Sequence, residues 1–171
     1  MSPSRRQTLV GIAGVAVGTG AYGYGRGDGD ETERHVETAL ATAEAVYPST
    51  VSVDESFIRK QVFGRREPLP GHFEGLRDAL DTVDGYARSR YGRPMAALSE
   101  GTRLTLLRDL GVDSVRASPD GTRANRIRYY LVHDLLFALI TSPEGTALHG
   151  IESPPGVPGG RDVYRLDPND V

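Results

Sequence analysis

The side chains of this chain that are most capable of chemistry are its four histidines. None of them lies in an H-E-x-x-H arrangement or in a tight cluster with carboxylates at metal-ligand spacing. The chain contains no cysteine, which excludes disulfides, a thiol nucleophile, iron–sulfur ligation and covalent haem attachment. The sequence therefore predicts no catalytic, cofactor-binding or metal-ligating residue. The histidines are His35, His72, His133 and His149.

One acidic residue lies directly beside a histidine on a strongly apolar helical segment. His133 and Asp134 are neighbours in sequence, so they point about 100° apart around the helix axis and do not face one site. Tyr130 precedes Asp134 by one helical turn, and a hydrogen bond between them would satisfy both groups inside a core. This structural interpretation is favoured over a catalytic pair.

Motifs for nucleotides and for nucleic acids give no positive signal. The stretch 18–23 has the form G-x-G-x-x-G, but no strand precedes it, so the dinucleotide-binding context is missing. No G-x-S-x-G nucleophile elbow and no phosphate-binding loop is found. The formal net charge is −3, and no basic face or tail is available to neutralise phosphates, so nucleic acid is not an expected partner.

The elements that would position these side chains are helices. Apolar residues recur at helical spacing in five segments, and no alternating strand pattern occurs, which predicts an all-α fold: a small helical bundle of about five helices. Caps and breakers set the helix ends. The first helix starts at Glu31 and ends before Pro48, the second starts near Asp54, the third runs from about Gly71 to Tyr91, and Ser99 and Thr122 cap the fourth and fifth.

The end of the chain changes character sharply. From Ile127 to Ile140 the fifth helix is apolar around nearly its whole circumference, which is typical of a helix buried in a bundle or against a partner. The segment 150–160 is too rich in proline and glycine for a helix or a regular strand, so an irregular C-terminal tail is predicted. Such a tail can lie across another protein at modest entropic cost; a solvated tail is the alternative.

The N-terminus has the layout of an export signal. Arg5 and Arg6 precede an uncharged, glycine-rich run from 7 to 25, and a paired arginine points to the twin-arginine route, which carries folded proteins. A plain membrane helix or an ordinary signal peptide is the alternative. We therefore divide the chain into an export signal, residues 1–26, and a helical domain, residues 27–171, that faces the outside of the cytoplasmic membrane. Cleavage of the signal and its retention as an anchor are both left open.

Several blocks, in their order along the chain, resemble the subunit 3 (gamma, small subunit) family of gluconate 2-dehydrogenase-type enzymes. The Pro/Gly block near the C-terminus is the most diagnostic, with Val157 where the pattern has an aromatic residue. The blocks are the Arg5-Arg6 signal, Ala41 to Ser49, Arg128-Tyr129-Tyr130 through Asp134-Leu135-Leu136, Thr141 to Gly145, Gly150-Ile151-Glu152 and Pro155 to Gly160.

The resemblance implies an accessory subunit that binds no cofactor itself. Its partner would be a large FAD-containing dehydrogenase of the glucose–methanol–choline type, acting on a sugar, sugar acid or alcohol, often alongside a cytochrome c subunit. The small subunit would escort the folded partner through the twin-arginine translocase and stabilise it at the membrane. Partner contacts are expected at Tyr129, Tyr130, Pro154, Pro155, Gly156, Pro158, Gly159 and Gly160.

A different class of function stays open at this point. The chain would then be a stand-alone exported helical protein that binds a small ligand or metal, with Tyr130, His133 and Asp134 lining the pocket.

Overall fold

A computed structural model describes residues 29–143 and residue 145. All regular secondary structure of these residues is helical, which confirms the all-α prediction. The predicted export signal, with Arg5 and Arg6, and the tail from residue 146 onward lie outside the described residues. The elements are α1 (Gly29–Val46), α2 (Glu55–Ile58), a π-helical turn (Arg59–Phe63), α3 (His72–Tyr91), a 3-10 turn (Met95–Ala97), α4 (Glu100–Asp109), α5 (Arg123–Ile127), a second π-helical turn (Arg128–Val132) and α6 (His133–Ile140).

The five predicted helical segments correspond to these elements. Each π-helical turn follows an α-helix without a break, so α2 with its turn forms the predicted second helix, and α5, the second turn and α6 together form the fifth. π-helical turns are rare and often occur at functional sites. The second of them lies in the middle of the most apolar segment of the chain.

Three helix ends follow the capping residues found in the sequence, whereas Ser99 precedes α4 without a side-chain capping hydrogen bond. Asp54 accepts a hydrogen bond from the backbone N–H of Phe57 at 2.8 Å, and this bond, with one from the Ser56 hydroxyl, lowers the pKa of Asp54. Thr122 and Asn125 form a reciprocal capping box at the start of α5. Gly92 ends α3 and donates its N–H to the carbonyl of Arg88. Its φ is +69°, a left-handed conformation that favours glycine.

One hydrophobic core lies between α1 and the helices around it. The face of α1 that enters the core consists largely of alanine, so α1 packs closely against α3 and α4. Tyr47, just after α1, donates its hydroxyl to the backbone carbonyl of Leu135 in α6 at 2.6 Å, and burial raises its pKa. Fully buried core residues include Val36, Ile58, Leu76, Leu80, Val83, Met95, Leu106, Leu131 and Leu135.

The fifth helical segment is exposed on one side. Of the two environments that the sequence analysis offered for it, complete burial inside the bundle is therefore wrong. Leu135, Ala138 and Leu139 pack into the core, whereas Phe137 and Ile140 are 54% and 60% exposed. The reason is geometric, since the bundle covers only one side of α6. Among the described residues, no helix is both long and apolar enough to cross a lipid bilayer.

Candidate functional site

A buried carboxylate at the start of α6 holds three elements together. The side chain of Asp134 is only 7% exposed. Nε2 of His72, the first residue of α3, lies 2.9 Å from Oδ2 and 3.0 Å from Oδ1 of this carboxylate. Arg65 adds an ion pair through Nη2. We call Arg65, His72 and Asp134 the Asp134 network.

The loop between the first π-helical turn and α3 brings Arg65 and His72 to one point. Two prolines at positions 68 and 70 keep this loop out of a helix. Gly71 then turns the chain with φ +80° and α3 begins. Glu67 accepts a hydrogen bond from the backbone N–H of Phe73 at 2.9 Å. This bond satisfies one of the backbone N–H groups in the first turn of α3 that have no partner within the helix. His72 is thereby fixed in a position that faces α6.

The charges of the Asp134 network balance each other. Burying a carboxylate is costly unless a cation and hydrogen bonds compensate it, and Arg65 and His72 provide both. The Arg65 guanidinium also lies 5.4 Å from the centroid of the Phe137 ring, so the same cation contacts the exposed face of α6. Its Nε is buried, with no hydrogen-bond partner among the described residues. The network thus fixes α6 to the loop that precedes α3.

The prediction of a hydrogen bond between Tyr130 and Asp134 is wrong, because each of the two side chains has other contacts. Asp134 contacts His72 and Arg65, whereas the Tyr130 ring packs edge-on against His72, with centroids 5.2 Å apart. The prediction assumed regular α-helical spacing. Tyr130 lies inside the π-helical turn, where the wider turn alters the angle between residues four positions apart.

An open cleft of about 650 Å³ lies beside the Asp134 network. Its apolar wall consists of the four most exposed large hydrophobic side chains of the described residues, and Arg66 and His133 form an exposed polar rim. Such a concentration of exposed apolar side chains at one place is characteristic of an interaction site. We call this the apolar cleft; its wall consists of Leu69, Leu136, Phe137 and Ile140.

The residues predicted as a site are only partly brought together. Tyr129 lines the apolar cleft, whereas Tyr130 is half-buried and packs against His72, which lines the cleft. His133 is exposed and Asp134 is buried, yet both line the apolar cleft, so the prediction that these neighbours do not face one site is wrong. The tail residues Pro154, Pro155, Gly156, Pro158, Gly159 and Gly160 lie outside the described residues.

A second histidine–carboxylate cluster joins α1 to α3. Nε2 of His35 lies 2.9 Å from Oδ1 of Asp81, and one donor atom from each of Glu31, His35 and Asp81 falls within 4.8 Å of the others. The expectation that no histidine belongs to a tight carboxylate cluster therefore does not hold for His35. Glu31 and His35 are one helical turn apart in sequence, so the sequence indicates that these two side chains share one face of the helix. Asp81 is 46 positions from His35, so only the tertiary structure reveals the cluster.

No protein-family model matches this chain, and no curated protein and no solved structure is significantly similar to it. Its function is therefore inferred from the apolar cleft, the Asp134 network and the sequence pattern. Of these features, the cleft is the only one that presents a large apolar surface to solvent among the described residues.

Proposed function

We propose that this chain is the accessory small subunit of an exported, flavin-dependent dehydrogenase, and that the apolar cleft receives the catalytic subunit. The observation that carries the proposal is the collection of Leu69, Leu136, Phe137 and Ile140 in one cleft. Exposing these side chains together to water is unfavourable, and a contiguous apolar patch with a polar rim is typical of a protein–protein interface.

The chemistry of the cleft defines the segment that it would receive. Large apolar or aromatic side chains of the partner would fill the space between Leu69 and Phe137, because buried aromatic anchors dominate interface energies. The rim carries Arg66 and His133, so an acidic residue beside the anchor would complement it. The Asp134 network holds the wall in place before the partner arrives, which limits the ordering cost of association.

Sequence features support the identity of the partner. The Arg5-Arg6 signal suits export of a folded protein, and the ordered blocks resemble the small subunit of gluconate 2-dehydrogenase-type enzymes. The partner would be of the glucose–methanol–choline type, would hold the FAD, and would oxidise a sugar, sugar acid or alcohol at the outer face of the membrane, where a cytochrome c subunit would accept electrons.

Co-purification from the native host tests the cleft. We expect the tagged full-length chain to bring down a flavoprotein in equimolar amount, measured by flavin absorbance and dye-linked dehydrogenase activity. The double variant Phe137→Ser/Ile140→Ser should reduce recovery at least about tenfold, since hot-spot losses exceed about 2 kcal/mol. Val115→Ser is the matched control, because Val115 is a partly exposed apolar residue outside the cleft. A flavin-free wild-type eluate, or full recovery with the double variant, would contradict the proposal.

The escort role has its own test. Arg5→Lys/Arg6→Lys should leave both this chain and the flavoprotein in the cytoplasmic fraction, because the twin-arginine route depends on the arginine pair. Immunoblots of cell fractions measure the outcome. Normal export of the flavoprotein in this strain would refute the escort role without affecting the docking test.

The second candidate function is binding of a small molecule in the same cleft. The volume of about 650 Å³ lies in the range of ligand pockets, which is roughly 300–1,000 Å³. His72, Tyr129 and Asp134 add polar groups to the lining. This function predicts a monomer without flavoprotein whose melting temperature rises with ligand, and whose response is lost in Phe137→Ser/Ile140→Ser.

A further inference from the structure

We propose that Glu31, His35 and Asp81 form a binding site for a divalent transition-metal ion of the Zn²⁺ class. The site joins the first turns of α1 to the middle of α3. The site shares no residue with the apolar cleft, so the result of a metal-binding experiment does not depend on whether the proposed function is correct.

The backbone places the three side chains at one point. Glu31 and His35 are separated by one turn of α1, which puts both on the same face of the helix. Asp81 approaches from α3, with its Oδ1 2.9 Å from His35 Nε2. One donor atom of each residue lies within 4.8 Å of the other two. Tetrahedral zinc separates its ligand atoms by roughly 3.4 Å at bond lengths near 2.1 Å, so small rotations of the two carboxylates bring all three into contact with one ion.

Burial gives the imidazole a fixed direction. The side chain of His35 is only 3% exposed, whereas that of Asp81 is 56% exposed. The buried ring therefore presents Nε2 toward the protein surface, where the two carboxylates and solvent meet. Imidazole nitrogen and carboxylate oxygen are both zinc ligands, and a zinc site with three protein ligands keeps a fourth position for water.

The charge of the cluster also favours a cation. A metal ion binds the neutral form of imidazole, and that form together with two carboxylates carries a formal charge of −2, which a divalent ion balances. In the Asp134 network, by comparison, the third group is the guanidinium of Arg65, and its positive charge balances the carboxylate of Asp134. A bound ion would link α1 and α3 and would stabilise the bundle where the helical domain begins.

Zinc titration of the purified, tag-free, full-length chain after chelator treatment tests the site. We expect one Zn²⁺ per chain, measured by calorimetry and elemental analysis. The melting temperature should rise by about 5–10 °C when free zinc exceeds the dissociation constant a hundredfold. Glu31→Gln and Asp81→Asn, which keep the side-chain shapes, should each weaken binding at least about tenfold. Glu37→Gln, an exposed acidic residue on α1, is the matched control and should bind like wild type.

Three outcomes would overturn the site. These are absence of zinc binding by the wild-type chain, unchanged affinity in both Glu31→Gln and Asp81→Asn, and an equal response to Mg²⁺. The last result would indicate general screening of acidic charge, because magnesium binds poorly to imidazole-containing sites.

Discussion

Two histidine–aspartate pairs with the same contact distance occur in this molecule, one with a buried aspartate and one with an exposed aspartate. Nε2 of His35 lies 2.9 Å from Asp81, and Nε2 of His72 lies 2.9 Å from Asp134. The Asp81 side chain is 56% exposed and has Glu31 beside it, whereas the Asp134 side chain is 7% exposed and pairs with Arg65. The third residue and the degree of burial therefore distinguish the two pairs more than the contact distance does, although His72 contacts both oxygens of Asp134 and His35 contacts one oxygen of Asp81.

The comparison indicates what each pair can do. A buried carboxylate needs a compensating cation from the protein itself, and its network then has a structural role. Where the carboxylate of the pair is exposed and a second carboxylate lies beside it, as at Asp81, solvent or an added ion can compensate the negative charge. One pair positions the apolar cleft, and the other is open to a metal ion.

The largest expected difference comes from removing the two aspartates. Asp134→Ala should lower the free energy of unfolding by about 3–5 kcal/mol, because it leaves the Arg65 side chain, which is only 18% exposed, without its counter-charge. Asp81→Ala, measured without added metal, should cost roughly 0–1 kcal/mol, since one partner of the pair is largely hydrated. Urea denaturation of both variants at neutral pH measures the contrast. Equal losses would show that burial does not distinguish the pairs.

A glycine beside the Asp134 network gives a sharper, local test. A Cβ at Gly75 would lie 2.5 Å from the Tyr130 ring, and that ring is confined by His72 and Tyr129. Gly75→Ala should therefore destabilise the protein by about 1–3 kcal/mol, despite the better helix propensity of alanine.

Gly85 provides the matched control on the same helix. Nothing lies within 4 Å of a Cβ built there, so Gly85→Ala should stabilise the protein by about 0.5–1 kcal/mol. Melting curves of the two variants should shift in opposite directions. If Gly75→Ala instead stabilises the protein, the Tyr130 ring can move away from the added methyl group and does not hold His72 in position.

The smallest expected effect concerns the hydroxyl that joins the end of α1 to α6. Tyr47→Phe removes the bond to the Leu135 carbonyl and should cost about 1 kcal/mol at neutral pH. Burial raises the pKa of Tyr47, whereas an unfolded tyrosine ionises near pH 10. The contribution is therefore complete below about pH 10 and is lost as the pH rises through the folded pKa.

The pH dependence of the free energy of unfolding tests the contribution of Tyr47. Wild type should lose stability more steeply than Tyr47→Phe between about pH 10 and 11.5, as measured by urea denaturation at each pH. Parallel curves would show that Tyr47 is ionised as easily in the folded as in the unfolded protein.

The helices of this protein were predictable because their signals are local. Asp54 and Thr122 cap helices, and Gly92 ends one, through contacts with residues only a few positions away. The exposure of one side of α6 was not predictable in the same way, because a helix apolar all round does not indicate which side its neighbours leave open.

The sequence by itself determined the all-α fold, the helix ends and the absence of cysteine chemistry, since these depend on residue types and short spacings. Only the tertiary structure decided which partners Asp134 and His35 have, because Arg65, His72 and Asp81 are far from them along the chain. It also decided that Leu69 joins Phe137 and Ile140 in one cleft. Contacts between distant segments depend on how helices pack and on where a π-helical turn changes the angle of a side chain, and neither property can be read from residue spacing.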